Sequence, residues 1–219
     1  MSNNIKMLIF DFDGTIADTF QQTMLITNIL SDEFNFKKVY PHEVELLKGK
    51  TVQEVIRHLN VPILKIPNIV AKARSELHKQ INSIEPVDGL NEILSLLKQA
   101  GVQMGILTTN SQKNVEYFLK TNNLEIFDFI HSTSRVWGKN HGLRKLMSEQ
   151  KLAPEEILYI GDETRDIEAA KKEGIKVVAV TWGYNSHALL ERFDPDFIVH
   201  TPAELLQICT QHLFPGLAF

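Results

Sequence analysis

Met7-Leu8-Ile9-Phe10-Asp11-Phe12-Asp13-Gly14-Thr15 is the stretch on which the reading of this chain turns. Four consecutive apolar residues, too few for a helix and without polar alternation, predict a strand buried on both faces, as in a parallel sheet. The strand runs into two carboxylates and a glycine. Parallel sheets carry their functional groups at the carboxyl ends of strands, so Asp11 and Asp13 are the first candidates for chemistry.

Outward from this strand the chain divides into two kinds of pattern. Apolar residues recur at helical spacing from Thr15 to about Leu30. Helical pieces then continue to about residue 84, broken at Pro41, Gly49, Pro62 and Pro67, with no clear strand. After Pro86-Val87-Asp88-Gly89 a helix carries Leu90, Ile93, Leu94, Leu96 and Leu97 and stops at Gly101. Strands are then expected at 103–108, 128–131, 157–160, 176–180 and 197–199. Helices at about 112–121, 140–150, 165–173, 186–192 and 202–213 separate or follow them. Alternating strands and helices imply α/β architecture. The expected fold is a Rossmann-like parallel-sheet core, residues 1–15 with 85–219, and an inserted α-helical cap, residues 16–84.

The later strand ends supply the remaining candidates. The strand at 103–108 leads into Thr109 and Asn110. Lys139 opens the helix just beyond Gly138. The strand at 157–160 leads into Gly161-Asp162-Glu163-Thr164-Arg165-Asp166. If the sheet is parallel, these points share one edge with Asp11 and Asp13. Asp11, Asp162 and Asp166 then offer hard oxygen ligands suited to Mg²⁺, and clustered anions need a cation or they raise one another's pKa. Lys139 and the Thr109 hydroxyl can hold phosphate oxygens as charge develops. Backbone N–H groups in the turn at Gly14 can add a phosphate cradle. Taken singly, each feature has a plainer reading as a turn, a helix cap or a solvated lysine. Four together, in this order and each at a strand end, favour the functional one.

These motifs resemble the haloacid-dehalogenase-like superfamily of aspartyl phosphatases, over essentially the whole chain. Asp11 to Ile16 is similar to its first motif, Thr109-Asn110 to the second, Lys139 to the third and Gly161 to Asp166 to the fourth. Thr181-Trp182-Gly183-Tyr184 and the helical insert resemble the phosphoglycolate-phosphatase-like branch. The resemblance implies that Asp11 is the nucleophile, that Asp13 is the acid and base, and that Thr109, Asn110 and Lys139 bind the phosphoryl group. It also implies that Asp11, Asp13 through its backbone carbonyl, Asp162 and Asp166 hold Mg²⁺. Many relatives follow the third-motif lysine with proline; here Asn140 follows, and Arg135 and Lys145 lie nearby. Dehalogenases of this superfamily lack the second aspartate, so Asp13 points to a phosphoryl substrate.

The expected activity is therefore hydrolysis of a small phosphorylated metabolite, with phosphoglycolate as a candidate. A phosphomutase using the same chemistry and a catalytically dead adaptor on the same fold are the alternatives. A phospho-accepting signalling domain fits poorly, because no aspartate closes the 103–108 strand and such a domain has no cap. Leu47-Lys48-Gly49-Lys50-Thr51 is not a P-loop, because Val44 stands where a glycine is required. In the family reading Lys48, Lys50 and Thr51 face the leaving group, while a solvated loop is the plain alternative. Trp182 and Tyr184 read as packing residues near the pocket rim, and Asp18 as an early helix residue.

Bulk properties agree. The chain is 43% apolar and 23% charged with a formal charge of −4, which gives no electrostatic reason to expect nucleic acid. No apolar run approaches the roughly 18 residues a membrane span needs, and residues 1–6 carry no signal-peptide core. A cytoplasmic protein is expected; oligomeric state is not readable. The single cysteine, Cys209, excludes an internal disulfide and reads as a buried structural thiol.

Overall fold

The computed structural model describes residues 5–133 and 138–210. Arg135 and the end of the helix expected at 202–213 lie partly or wholly outside those residues. The first strand, β1 (Met7–Phe10), is buried throughout. It lies inside a six-stranded, all-parallel sheet with β2 (Gln103–Thr108), β3 (Phe129–Ser132), β4 (Ile157–Gly161), β5 (Lys176–Val180) and β6 (Phe197–Val199). The order is β3-β2-β1-β4-β5-β6. Phe10 pairs with Ile106 on one side and Ile160 on the other.

The period-two alternation of strand side chains divides the core into two layers. Leu8, Phe10, Ile106, Leu158 and Ile160 face Leu90, Leu94 and Leu97 of α5 (Leu90–Gln99) and Leu205 of α10 (Pro202–Ile208). Ile9, Tyr159, Val177 and Ala179 face Leu143 and Leu146 of α7 (Lys139–Gln150) and Ile167 and Ala170 of α8 (Thr164–Lys172). Burial on both faces explains why these strands read as unbroken apolar runs rather than alternating ones. The other core helices are α6 (Gln112–Thr121) and the short α9 (His187–Glu191).

The insert between β1 and β2 is helical. It contains α1 (Phe20–Phe34), α2 (Val44–Lys48), α3 (Val52–His58) and α4 (Ile66–Gln80). The two 15-residue helices α1 and α4 pack together, while Val39, Leu47 and Leu59 form a small buried cluster of their own with Met24 and Val55 against it. Among the described residues, no helix is long and apolar enough to cross a membrane.

The helix expected from Thr15 begins instead at Phe20. The intervening residues form a tight turn in which the N–H groups of Ile16 and Ala17 donate to the Phe12 carbonyl, at 2.9 and 3.0 Å, and Gly14 donates to Ala17. Phe12, Ile16 and Ala17 are fully buried, so their apolar spacing reflects a folded-back turn packing on the core rather than a helix face. Asp18 lies outside the helix, where its N–H donates to the Glu85 carbonyl; Val87 N–H donates to Ile16. These two bonds tie the outgoing and returning strands of the insert together.

Cys209 is fully buried and burial pushes its thiol up to about 12. The thiolate is the reactive form, so native protein at pH 8 is expected to resist a thiol-specific reagent and to react fully once denatured. Rapid modification of the native chain would contradict this packing.

Candidate active site

The order β3-β2-β1-β4-β5-β6 reverses direction beside β1, and such a switch point opens a crevice at the carboxyl ends of the flanking strands. Asp11 follows β1 and Asp162 follows β4, so the topology alone sets both acids at that crevice. Asp11, Asp162 and Asp166 are all buried, and each offers a carboxylate oxygen within 4.8 Å of the others.

Lys139 stands between two of them. As the first residue of α7, 2% exposed, it donates to Asp11 Oδ2 at 2.5 Å and to Asp166 Oδ1. Burial alone would lower its pKa, but the charges of Asp11 and Asp166 outweigh that and hold the amine charged. Lys145 is largely exposed and pairs with Glu149 on the same helix, so it is not a competitor for this position. Asn140, in place of the proline many relatives have, makes a side-chain contact with its neighbour His141 and leaves Lys139 in the site.

Asp13 is held from the loop that follows β2. Asn110 Nδ2 donates to both Asp13 oxygens at 3.1 Å. Its own Oδ1 accepts from Ser111 N and Asn114 Nδ2, which fixes the amide orientation. The cap of α6 is Ser111, whose side chain accepts from Asn114 N, so Asn110 is released from the capping role that sequence alone allowed. Thr109 lines a cavity of about 290 Å³ with Asp13 and Asn110. Asp166 serves twice: its Oδ2 accepts from Glu163 N as a helix cap and its Oδ1 joins the Lys139 cluster.

The electrostatics follow from burial. Asp11 is pushed up to about 7, chiefly by burial, with Lys139 opposing and Asp166 adding. Burial likewise raises Asp13 to about 6 against the Asn110 hydrogen bonds and the Arg165 and Lys139 charges. Asp162 is raised well above the usual carboxylate range by burial and then by Glu163, Asp11 and Asp166. Three converging acids with one lysine leave an excess of negative charge that a divalent cation would neutralise. The donor set fits such an ion: hard oxygens, close together, with Asp162 oriented by Thr15 Oγ1 and Tyr184 N, both at 2.7 Å.

Tyr184 exceeds the packing role expected of it. Its ring lines the 290 Å³ cavity, and its hydroxyl lies 2.6 Å from the Thr23 hydroxyl and 3.0 Å from that of Thr19. Trp182 does pack, with Nε1 donating to the Thr15 carbonyl. Thr51 is a helix cap, accepting from Glu54 N, while Lys48 and Lys50 line an adjoining cavity of about 170 Å³ that shares Thr23, Val52 and Tyr184 with the first. Sequence reasoning missed Arg74, Arg165 and Thr15. Arg74 sits in a helix with no motif and carries no signal, whereas Thr15 lies within Asp11–Ile16 and Arg165 within Gly161–Asp166, and that membership is their sequence signal.

Comparison with known proteins gives the same picture. The family model described as haloacid dehalogenase-like hydrolase matches residues 8–180. A phosphoglycolate phosphatase of Synechococcus elongatus is 29% identical over 208 residues, 94% of this chain and 98% of that protein. A pyrophosphatase of Bacillus mycoides is 26% identical over 219 residues, covering 94% and 98%. A haloacid dehalogenase-like hydrolase of Streptococcus pneumoniae superposes with a TM-score of 0.77 at 23% identity, over 94% of this chain and 99% of that one.

Gly14 has φ +80°, and a Cβ there would lie 2.5 Å from both Asp162 Oδ2 and Tyr184 Cδ2. Gly14→Ala is therefore expected to displace Asp162 and to lower phosphatase kcat/KM by roughly 100-fold or more, since misplacement by about 1 Å is that costly. Calorimetric titration with Mg²⁺ should show weakened binding in the same variant.

Proposed function

The chain belongs to the haloacid dehalogenase-like hydrolases, in the phosphoglycolate-phosphatase-like branch, and from that premise we propose that it hydrolyses a small phosphate monoester through an aspartyl-phosphate on Asp11, with Mg²⁺. The observation that carries the proposal is the buried contact of Lys139 with Asp11 beside the Asn110-held Asp13.

In this reading an Asp11 oxygen attacks phosphorus in line and the bond from phosphorus to the leaving oxygen breaks. Asp13 gives its proton to that oxygen. It then takes a proton from the water that attacks the aspartyl-phosphate, releasing inorganic phosphate and free Asp11. A carboxyl held near 6 suits both duties, because each protonation state is accessible near neutral pH. Lys139, Thr109 and Asn110 hold the phosphoryl oxygens as charge shifts. When bound by Asp11, Asp162, Asp166 and the Asp13 carbonyl, Mg²⁺ would supply charge neutralisation for the approach of two anions.

The division into core, 1–15 with 85–219, and cap, 16–84, belongs to the same proposal and is supported by the hydrogen bonds at Ile16–Val87 and Asp18–Glu85. The name of the Synechococcus relative makes phosphoglycolate the first substrate to assay. An intracellular, cytoplasmic setting is consistent with a small-metabolite phosphatase.

Wild type with Mg²⁺ is expected to turn over p-nitrophenyl phosphate, and Asp11→Asn to reduce that to background; full turnover in the variant would remove Asp11 as nucleophile. Asp13→Asn should cost an alkyl phosphate about 10-fold more than p-nitrophenyl phosphate, whose phenolate leaves without a proton. Because Asp13 is the acid, its protonated form is lost as pH rises through about 6. The single-turnover rate for an alkyl phosphate should therefore fall above that pH more steeply than for the aryl ester. Equal pH profiles for the two esters would assign the proton elsewhere.

A further inference from the structure

Asn114 is a buried polar side chain that the hydrolytic mechanism does not use. It lies in the first turn of α6, is 2% exposed, and is a residue type that helix interiors disfavour. Burying an amide costs free energy unless its groups are bonded. Its Nδ2 is bonded twice, donating to Asn110 Oδ1 at 2.9 Å and to the Arg74 carbonyl at 3.1 Å. A carbonyl can only accept, so the Arg74 oxygen fixes which end of the Asn114 amide faces this way, and the same end meets Asn110.

Asn110 carries this orientation on to Asp13. The two ends of an asparagine amide have nearly the same shape, and hydrogen bonds decide which end is oxygen. Asn110 Oδ1 accepts from Asn114 Nδ2 and, at 2.8 Å, from Ser111 N. Its Nδ2 is therefore turned to both oxygens of Asp13, each at 3.1 Å. The Asn110 backbone is pinned as well, with N donating to Thr108 Oγ1 and the carbonyl accepting from Ser132 Oγ. Rotation of the amide about its last bond is the freedom that remains, and Asn114 opposes it. The reversed amide would set an oxygen against Asp13. A protonated Asp13 would then donate to Asn110 instead of to the leaving group.

We propose that Asn114 is a positioning residue for the acid step: through Asn110 it keeps an amide donor, and not an acceptor, against Asp13, so that the Asp13 proton is left for the leaving oxygen. This rests on the phosphatase reading above. In that reading the proton passes from the Asp13 carboxyl to the leaving oxygen as that oxygen's bond to phosphorus breaks and Asp11 gains the phosphoryl group. An alkoxide needs that proton to leave, whereas p-nitrophenolate does not.

The test measures single-turnover rates for p-nitrophenyl phosphate and for the fastest alkyl ester among phosphoglycolate, ethyl phosphate and glycerol phosphate. Asn114→Leu and Asn114→Ala both remove the donor, one keeping the side-chain volume and one not. Each should slow the alkyl ester by about 10-fold and the aryl ester by less than about twofold, a fraction of the roughly 100-fold or more that a positioned acid supplies. KM for the alkyl ester should be unchanged. In an Asn110→Ala background the further change Asn114→Leu should leave the alkyl-to-aryl ratio where it was, because the relay has lost its middle member. Equal losses for the two esters overturn the proposal and make Asn114 a packing residue of α6. So does an undiminished Asn114→Leu effect on the ratio in the Asn110→Ala background. Wild type that turns over the aryl ester alone overturns it too, since no proton delivery would then be at work. Failure of the phosphatase reading is seen separately, as absence of any turnover of p-nitrophenyl phosphate.

Discussion

The ammonium of Lys139, buried between Asp11 and Asp166, is the constraint around which the rest of the site is arranged. A lysine so enclosed is costly to desolvate and persists only if its counter-charges are held in place. Asp11 is held because β1 is the centre of the sheet, hydrogen-bonded to β2 and β4 along its length. Asp166 is held because its second oxygen caps α8 and its first also accepts from the Tyr159 hydroxyl. Removing the lysine would leave two buried carboxylates facing each other, a loss of about 3–5 kcal/mol by analogy with other broken buried pairs.

This charge cluster also explains how the helical insert is tied to the chemistry. The loop carrying Tyr184 and Asn185 touches both sides. Tyr184 N binds Asp162, and Asn185 N donates to the Asp162 carbonyl. Asn185 Nδ2 meanwhile donates to the Lys50 carbonyl of the insert, and Ser186 N donates to that of Lys48. The insert and an acidic residue of the cluster are thus joined through a few hydrogen bonds of one loop. The Lys48–Thr51 segment, reminiscent in sequence of a nucleotide loop, serves through its carbonyls rather than its ammonium groups. Lys48 Nζ instead rests 4.6 Å above the Phe20 ring.

Much of this was legible in the sequence because the responsible residues sit at strand ends. The inner strands are buried along most of their length and have a simple signature, apolar runs; the edge strands β3 and β6 are only half-buried, yet all six lie within a residue of where the pattern predicts. Parallel order then forces their carboxyl ends together, so Asp11, Asp13, Asn110, Lys139, Asp162 and Asp166 could be assembled without coordinates. The misreadings have a common physical origin. Ile16 and Ala17 carry helical spacing but are buried by a turn whose hydrogen bonds depend on Gly14. Tyr184 reads as a packing aromatic because a backbone N–H donor has no sequence signature. Arg74 is invisible for another reason: it lines the cavity because α4 brings its guanidinium to the carbonyls of Thr109 and Thr133, beyond the ends of β2 and β3, a long-range placement that local pattern does not encode.

The claim on which everything depends is that Asp11 becomes covalently phosphorylated. Acid quench of wild type milliseconds after mixing with substrate and Mg²⁺, followed by peptide mass spectrometry, tests it directly. A phosphoryl group on the peptide containing Asp11, absent from Asp11→Asn and decaying at the rate of phosphate release, is the expected result. Substrate turnover at full rate with no phosphorylated peptide at any time, and with water oxygen entering the product in a single displacement with inversion at phosphorus, would contradict it.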